Sequence, residues 1–202
     1  MNDITRYKEV RDLMQPGDVI SYKGYGFISW AILRIDKRSH VSGVVSGSCN
    51  PLVADMKMII EADEGEVNHR RLSEKLLYYN GKAWWHQLKP VFNGYRYLID
   101  AFYWNCTGIH YDYDGIIGQL PSILTGDPNF GRVQYDGSKY WCSELCGAAL
   151  IGNKDYPVIP REMLEAYLPH KDLQRLLDGG GLRPGEIARL PVFFPEVPLL
   201  EP

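Results

Sequence analysis

The sequence changes character at Cys142, because aromatic residues precede it and small, apolar residues follow it as far as residue 150. This composition predicts a buried helix that begins at Cys142. The first turn of a helix has free backbone N–H groups and the positive end of the helix dipole, and both favour the thiolate form of a cysteine. Ser143 and Glu144 are residue types found at helix starts. Cys142 is therefore a candidate nucleophile, and the alternative is a small core residue, as most unpaired cysteines are.

The composition narrows the class of protein. The 202 residues suit one domain, so we expect a single domain over 1–202 with a proline-rich tail at about 182–202. A net charge of -3 without a basic run argues against a nucleic-acid partner. Four cysteines are too few for a disulfide framework in a chain of this length. No signal core and no membrane-length apolar run are present, so we expect a cytoplasmic protein without integral membrane association.

Short helices and strands are predicted to mix along the chain. Helical spacing of apolar residues predicts helices, and β-branched and aromatic runs predict strands. The expected helices cover 4–14, 70–78, 92–104, 115–120, 158–164 and 173–177, with a further apolar segment at 27–35 that could be helical. The expected strands cover 19–22, 39–45, 58–62 and 82–88, while 108–114 has a turn-like composition and 126–137 that of a loop.

Two polar residues stand at the ends of predicted strands. His40 opens the strand at 39–45, and Glu61 lies at the end of the apolar run at 58–62. A histidine has an unperturbed pKa near neutrality and can act as a general base. A glutamate that accepts a hydrogen bond from the imidazole would fix its tautomer and stabilise its cation. Taken singly, each residue has an alternative interpretation. His40 would be a structural histidine, and Glu61 would be a solvated glutamate at a strand end.

Three blocks of sequence together resemble the permuted branch of the NlpC-type, papain-like cysteine hydrolases, the YiiX-like family. They are Gln-Pro-Gly-Asp-Val-Ile at 15–20, Ser-His-Val at 39–41 with Ile-Ile-Glu-Ala at 59–62, and Trp-Cys-Ser-Glu-Leu at 141–145. The order His, Glu, Cys is that of the permuted branch. A weaker fourth block is Tyr-Asp-Tyr-Asp at 111–114.

The resemblance implies a fold and a set of site residues. The implied fold is α+β, a circularly permuted papain-like (NlpC-type) fold in which a small antiparallel sheet or half-barrel packs against the cysteine-bearing helix. The implied catalytic residues are Cys142 as nucleophile, His40 as base and Glu61 as its orienting partner. The backbone N–H of Cys142 and a tyrosine hydroxyl would stabilise the oxyanion. Tyr111 is the first candidate for that tyrosine, and Tyr22 is the second.

The resemblance also implies a substrate class. It predicts a cysteine amidase or peptidase acting on a small peptide or amino-acid conjugate, including a cell-wall-derived peptide. The alternatives are acyl transfer or thioester hydrolysis on lipid or other acyl substrates, and a non-catalytic ligand-binding module of the same fold. We expect no organic cofactor, because no glycine-rich phosphate loop is present. We expect no metal, because the histidines at 40, 69, 86 and 110 lack diagnostic spacing to a cysteine.

Overall fold

An eight-stranded, mostly antiparallel sheet organises the α+β structure. The computed structural model describes residues 1–25, 29, 32–34, 36–47, 57–63, 65–112, 139–152, 157–178 and 182–200. The strands are β1 (Val19–Gly24), β2 (His40–Val45), β3 (Met58–Asp63), β4 (Glu66–Arg71), β5 (Gly81–His86), β6 (His110–Tyr111), β7 (Lys139–Tyr140) and β8 (Val197–Leu200). The α-helices are α1 (Thr5–Val10), α2 (Leu72–Tyr78), α3 (Arg96–Asn105), α4 (Cys142–Ile151), α5 (Arg161–Glu165), α6 (His170–Leu177) and α7 (Pro184–Ala188). Two 3-10 helices, Arg11–Leu13 and Pro90–Tyr95, adjoin α1 and α3.

The strand order places His40 and Glu61 in the middle of the sheet. The order is β7-β6-β4-β3-β2-β1-β5-β8, and every pair is antiparallel except the parallel pair of β6 and β7. β2 and β3 are therefore neighbours, with Gly43 opposite Ile60. Their buried residues alternate between two hydrophobic clusters, because successive side chains of a strand point to opposite faces. Val41 and Val45 belong to the cluster that contains α4, and Val44 belongs to the other.

The sheet is larger than the small sheet that we expected. β4 was not predicted, because its residues form no β-branched or aromatic run and the expected helix at 70–78 overlaps its end. β3 and β4 form a hairpin, and Gly65, just before β4, adopts a φ of 111°, a value that favours glycine. The two-residue strands β6 and β7 are too short to produce a periodic sequence signal. The predictions at 115–120 and 126–137 lie outside the described residues, as does most of 27–35, where Ser29, Ile32 and Leu33 are helical.

The C-terminal segment differs from the surface tail that we expected. It contains α7 and β8, and β8 pairs with β5. Leu199 and Leu200 are buried in the same cluster as α1 residues, while Ile187 is buried in the cluster that contains α4. The prolines had predicted a tail without regular structure. Pro184 lies in the first turn of α7, where a proline is tolerated because an N–H at that position has no partner within the helix. The prediction of one domain over 1–202 remains a prediction.

A buried carboxylate holds the front of β1 in place. Asp18 is completely buried, and its carboxylate accepts hydrogen bonds from Trp85 Nε1 at 2.9 Å and from the backbone N–H of Leu88 at 3.0 Å. Arg96 of α3 donates to the same carboxylate at 2.7 Å and to the carbonyl oxygen of Leu88 at 2.7 Å. This network joins β1, the end of β5 and α3, and gives the Gln-Pro-Gly-Asp block a structural role.

Candidate active site

Cys142 is the first residue of α4 and lies in the core. Trp141 precedes it with extended backbone angles, and the Glu144 carboxylate accepts a hydrogen bond from the Trp141 N–H at 3.3 Å. Cys142 is 3% exposed, and most of the ten residues of α4 are buried. The predicted helix at this cysteine is therefore present. The helix start places the thiol beside free N–H groups of the first turn.

His40 and Glu61 come together because β2 and β3 are adjacent antiparallel strands. The Nε2 atom of His40 lies 3.0 Å from Oε2 of Glu61, within hydrogen-bonding distance. The Glu61 side chain is completely buried, whereas that of His40 is 17% exposed. The carboxylate thereby fixes the orientation of the imidazole and leaves Nδ1 for another partner.

The second partner of His40 is the thiol of Cys142. Burial and the nearby Lys75 charge lower the pKa of His40, but the Cys142 thiolate, a hydrogen bond with it and the Glu61 hydrogen bond raise that pKa to about 9. The net direction is upward, so the surroundings stabilise the imidazolium when the thiol is ionised. The side chains of Cys142, His40 and Glu61, predicted from the sequence, therefore form one connected group.

Lys75 is a member of this group that sequence analysis did not identify. Its Nζ atom forms an ion pair with Oε2 of Glu61, the oxygen that also binds His40. It also lies 4.7 Å from the centre of the Tyr22 ring, and its side chain is only 11% exposed. In the sequence Lys75 is one of several charges on an amphipathic helix, and no local pattern distinguishes it.

Two positive groups maintain the charge of Glu61. Besides Lys75, Arg70 Nε lies 3.2 Å from Oε1 of Glu61. Burial raises the pKa of Glu61, but the His40 hydrogen bond and the Lys75 charge lower it to a net value of about 2. Glu61 is thus a carboxylate over the ordinary pH range, which is the form that can stabilise an imidazolium.

The low pKa of Glu61 predicts an acid-sensitive fold. A glutamate with a folded pKa of about 2 and an ordinary unfolded value of 4.5 contributes stability above pH 4.5 and loses it as the pH falls towards 2. In Glu61→Gln we expect a lower free energy of unfolding at pH 7 and a flatter decline between pH 5 and pH 3. Urea unfolding across that range measures both effects. Glu9→Gln, at an exposed ion pair with Arg6, is the matched control and should keep the wild-type slope. Equal slopes in Glu61→Gln and wild type would contradict the assignment.

The two candidate tyrosines occupy different places. Tyr22 is completely buried beside His40, with ring centres 5.5 Å apart, and its hydroxyl is 3.0 Å from Oγ of Ser42. Burial and the Glu61 charge raise its pKa, so the hydroxyl stays protonated. Tyr111 is half-buried on β6, where it pairs with Tyr140, two residues before Cys142. Their roles in binding an oxyanion remain predictions.

Tyr79 is a third tyrosine near the site, and sequence analysis did not identify it. Burial raises its pKa, a hydrogen bond to Ser39 lowers it, and the charges of Glu61, Asp63 and Cys142 raise it further, with a net upward direction. Its hydroxyl therefore remains a donor. Tyr79 follows α2 directly, so the helix that carries Lys75 also brings this ring to the site.

The other described cysteines are poor nucleophiles. Burial raises the pKa of Cys106 to about 12, and burial likewise raises that of Cys146 well above its ordinary value. Both are free and lie in the core. Of the three free cysteines described, only Cys142 lies at a helix start beside a histidine.

A cavity of about 850 Å³ adjoins the connected group. Lys75 and Tyr79 line it, together with Asp63 and the arginines at positions 70 and 71. Its volume lies in the usual range for small-molecule sites. Its walls carry both signs of charge, which suits a polar or zwitterionic ligand.

The comparisons with known proteins support the fold alone. No protein-family model matches the chain, and no curated protein matches it. The crystal structure of the metalloprotein yiiX from Escherichia coli O157:H7 (DUF1105) is similar, with a TM-score of 0.58 and 15% sequence identity. The match covers 91% of this chain and 96% of that one.

Among the described residues, no three or more His, Cys, Asp or Glu side chains are grouped so that they could hold a metal ion. No helix among them has the length and apolar character needed to cross a membrane.

Proposed function

We propose that the protein is a cysteine hydrolase of the amidase or peptidase type, with Cys142, His40 and Glu61 as its catalytic triad. The observation that carries the proposal is the position of His40, which contacts the Glu61 carboxylate through Nε2 and interacts with the Cys142 thiol. A nucleophile, a base and an orienting acid in this order are the requirements of acyl transfer through a covalent intermediate. The similarity in fold to yiiX and the order His, Glu, Cys support a permuted papain-like relationship.

The proposed reaction proceeds in two stages. His40 takes the proton of Cys142, and the thiolate forms a bond to the carbonyl carbon of an amide. The resulting oxyanion accepts hydrogen bonds from the backbone N–H of Cys142 and from a tyrosine hydroxyl, for which Tyr111 is the first candidate. The C–N bond then breaks as His40 returns the proton to the departing amine. Water, deprotonated by His40, attacks the thioester and releases the acid and the free thiol.

The substrate proposed is a small peptide or amino-acid conjugate. The cavity that Lys75 lines has a volume of about 850 Å³ and carries cationic and anionic groups, including Arg71 and Glu74. Lys75 connects it to the triad through its ion pair with Glu61. These groups match the amino and carboxylate ends of a short peptide better than they match an acyl chain, which needs apolar walls. A cell-wall-derived peptide with a D-glutamyl bond belongs to this class.

A panel of acyl donors tests the proposal. We expect the wild type to hydrolyse γ-D-glutamyl dipeptides, and the release of the amine measures this reaction. We expect no amine release with Cys142→Ala. Phospholipid and acyl thioester donors serve as the competing class. Turnover of these donors without turnover of any peptide would replace the amidase by an acyltransferase or thioesterase. Specific peptide binding that is unchanged in Cys142→Ala, together with no turnover of any donor, would indicate a binding module.

A further inference from the structure

A second cavity, of about 720 Å³, lies between the end of β5 and the segment that follows α7. None of the residues that line it lines the cavity of about 850 Å³ that contains Lys75. Its volume is typical of a small-molecule site. The wall combines a buried histidine, several cations and an apolar surface, and each of these restricts what could bind there.

The histidine is His86, which is 2% exposed and lines the cavity. Its Nε2 atom lies 2.8 Å from Oγ of Ser21, which also accepts a hydrogen bond from Nε of Arg38 at 3.1 Å. Because Arg38 can only donate, the Ser21 hydroxyl has its proton free for Nε2 of His86. With the Ser21 proton donated to Nε2, the ring proton of the neutral histidine lies on Nδ1.

In this tautomer the Nδ1–H of His86 is a donor on a ring that lines the cavity. Burial and the charges of Arg38 and Arg189 lower the pKa of His86 to about 4, so the ring is neutral near pH 7. An acceptor bound in the cavity would give this donor a hydrogen bond.

Cations outnumber anions around this donor. Lys37, Arg38, Lys89 and Arg189 line the cavity, against the single carboxylate of Glu196. Glu196 pairs with Arg38, and Asp36 lies 3.5 Å from Arg189. The cations at positions 37 and 89 form no ion pair within the described residues, so the cavity has a positive excess in a chain whose net charge is -3. This local excess attracts an anion.

Part of the lining is apolar. Leu190, Phe193 and Phe194 contribute to it, and Phe194 keeps 40% of its surface exposed. A small inorganic ion would leave this surface in water, whereas an alkyl or aryl group would cover it. Burial of that surface stabilises a complex by roughly 25 cal/mol per Å².

We propose that this cavity binds a small amphiphilic anion, in which a carboxylate or phosphate head accepts the Nδ1–H of His86 and an apolar group packs on Phe193 and Phe194. Lys89 and Arg189 supply the charge that holds the head. None of the residues that line the site belongs to the proposed triad, and the inference does not depend on the proposed hydrolase activity.

Calorimetric titration of the full chain tests the inference, with octanoate and octyl phosphate as probes. The protein carries the Cys142→Ala substitution, so that turnover cannot interfere with the measured heats. We expect saturable binding of at least one probe. Lys89→Glu and Arg189→Glu, two substitutions on the cavity wall, should each weaken it at least ~10-fold, because each places a carboxylate near the head. Lys8→Glu makes the same charge change on the exposed side of α1 and should leave binding unchanged.

Two further ligands separate the parts of the proposal. Acetate carries the head alone and octanol the chain alone, and both should bind more weakly than octanoate. The relative affinities of octanoate and octyl phosphate identify the head group. Octanol binding as tightly as octanoate, no saturable binding of either probe, or equal affinities in Lys89→Glu and Lys8→Glu would each overturn the proposal.

Discussion

Substitution of Cys142 by alanine is expected to lower the turnover of an activated ester such as p-nitrophenyl acetate by at least ~10³-fold, because the covalent route disappears with the thiol. An activated ester reports acyl transfer without knowledge of the natural substrate. Residual turnover would come from His40 acting directly on water. The measurement is the steady-state release of nitrophenol at pH 7, with background hydrolysis subtracted.

Matched controls distinguish loss of the nucleophile from loss of the fold. Cys106→Ala removes a thiol whose pKa burial raises to about 12, so it should keep wild-type turnover. Cys142→Ser preserves the volume of the side chain but replaces the thiol by a much weaker nucleophile, and should also lose most activity. Urea unfolding compares the stability of all three variants. Turnover by Cys142→Ala within twofold of the wild type would exclude Cys142 as the nucleophile.

The central elements of the fold could be predicted from local pattern. Local composition identified β1, β2, β3, β5 and the helix at Cys142, since each is a run of residues long enough to have a distinctive composition. β4 was not predicted because its polar residues, including Asn68 and His69, do not alternate with apolar ones. β8 was not predicted because it contains Pro198, a residue that is rare in strands. This proline lies at an edge of the sheet, where a missing N–H is tolerated.

The candidate site was predictable only in part. His40, Glu61 and Cys142 were identified by their order along the chain, and the structure brings these side chains into contact. Their catalytic roles remain predictions. Lys75 was not identified, because its ion pair with Glu61 joins α2 to β3 through packing, and nothing in its local sequence reports that contact. The buried hydrogen bond between His86 and Ser21 was not predicted either, because it depends in the same way on the pairing of β1 with β5.

In the proposed mechanism, His40 activates the thiol of Cys142. A cysteine thiol with an ordinary pKa of about 8.5 is only ~1% thiolate at pH 6.5. A thiolate held beside an imidazolium persists at that pH, and its alkylation does not depend on rare ionisation. The rate at which iodoacetamide alkylates Cys142 should therefore differ between the wild type and His40→Ala.

Alkylation at pH 6.5, with peptide mapping to assign the label, is the most direct measurement. We expect His40→Ala to react ~10- to 100-fold more slowly than the wild type at pH 6.5, and at a similar rate at pH 9.5, where thiols ionise without help. The similar rate at pH 9.5 controls for access to the buried thiol, and His40→Asn provides a second variant that keeps a polar side chain. A rate at pH 6.5 that is the same with and without His40 would contradict the account.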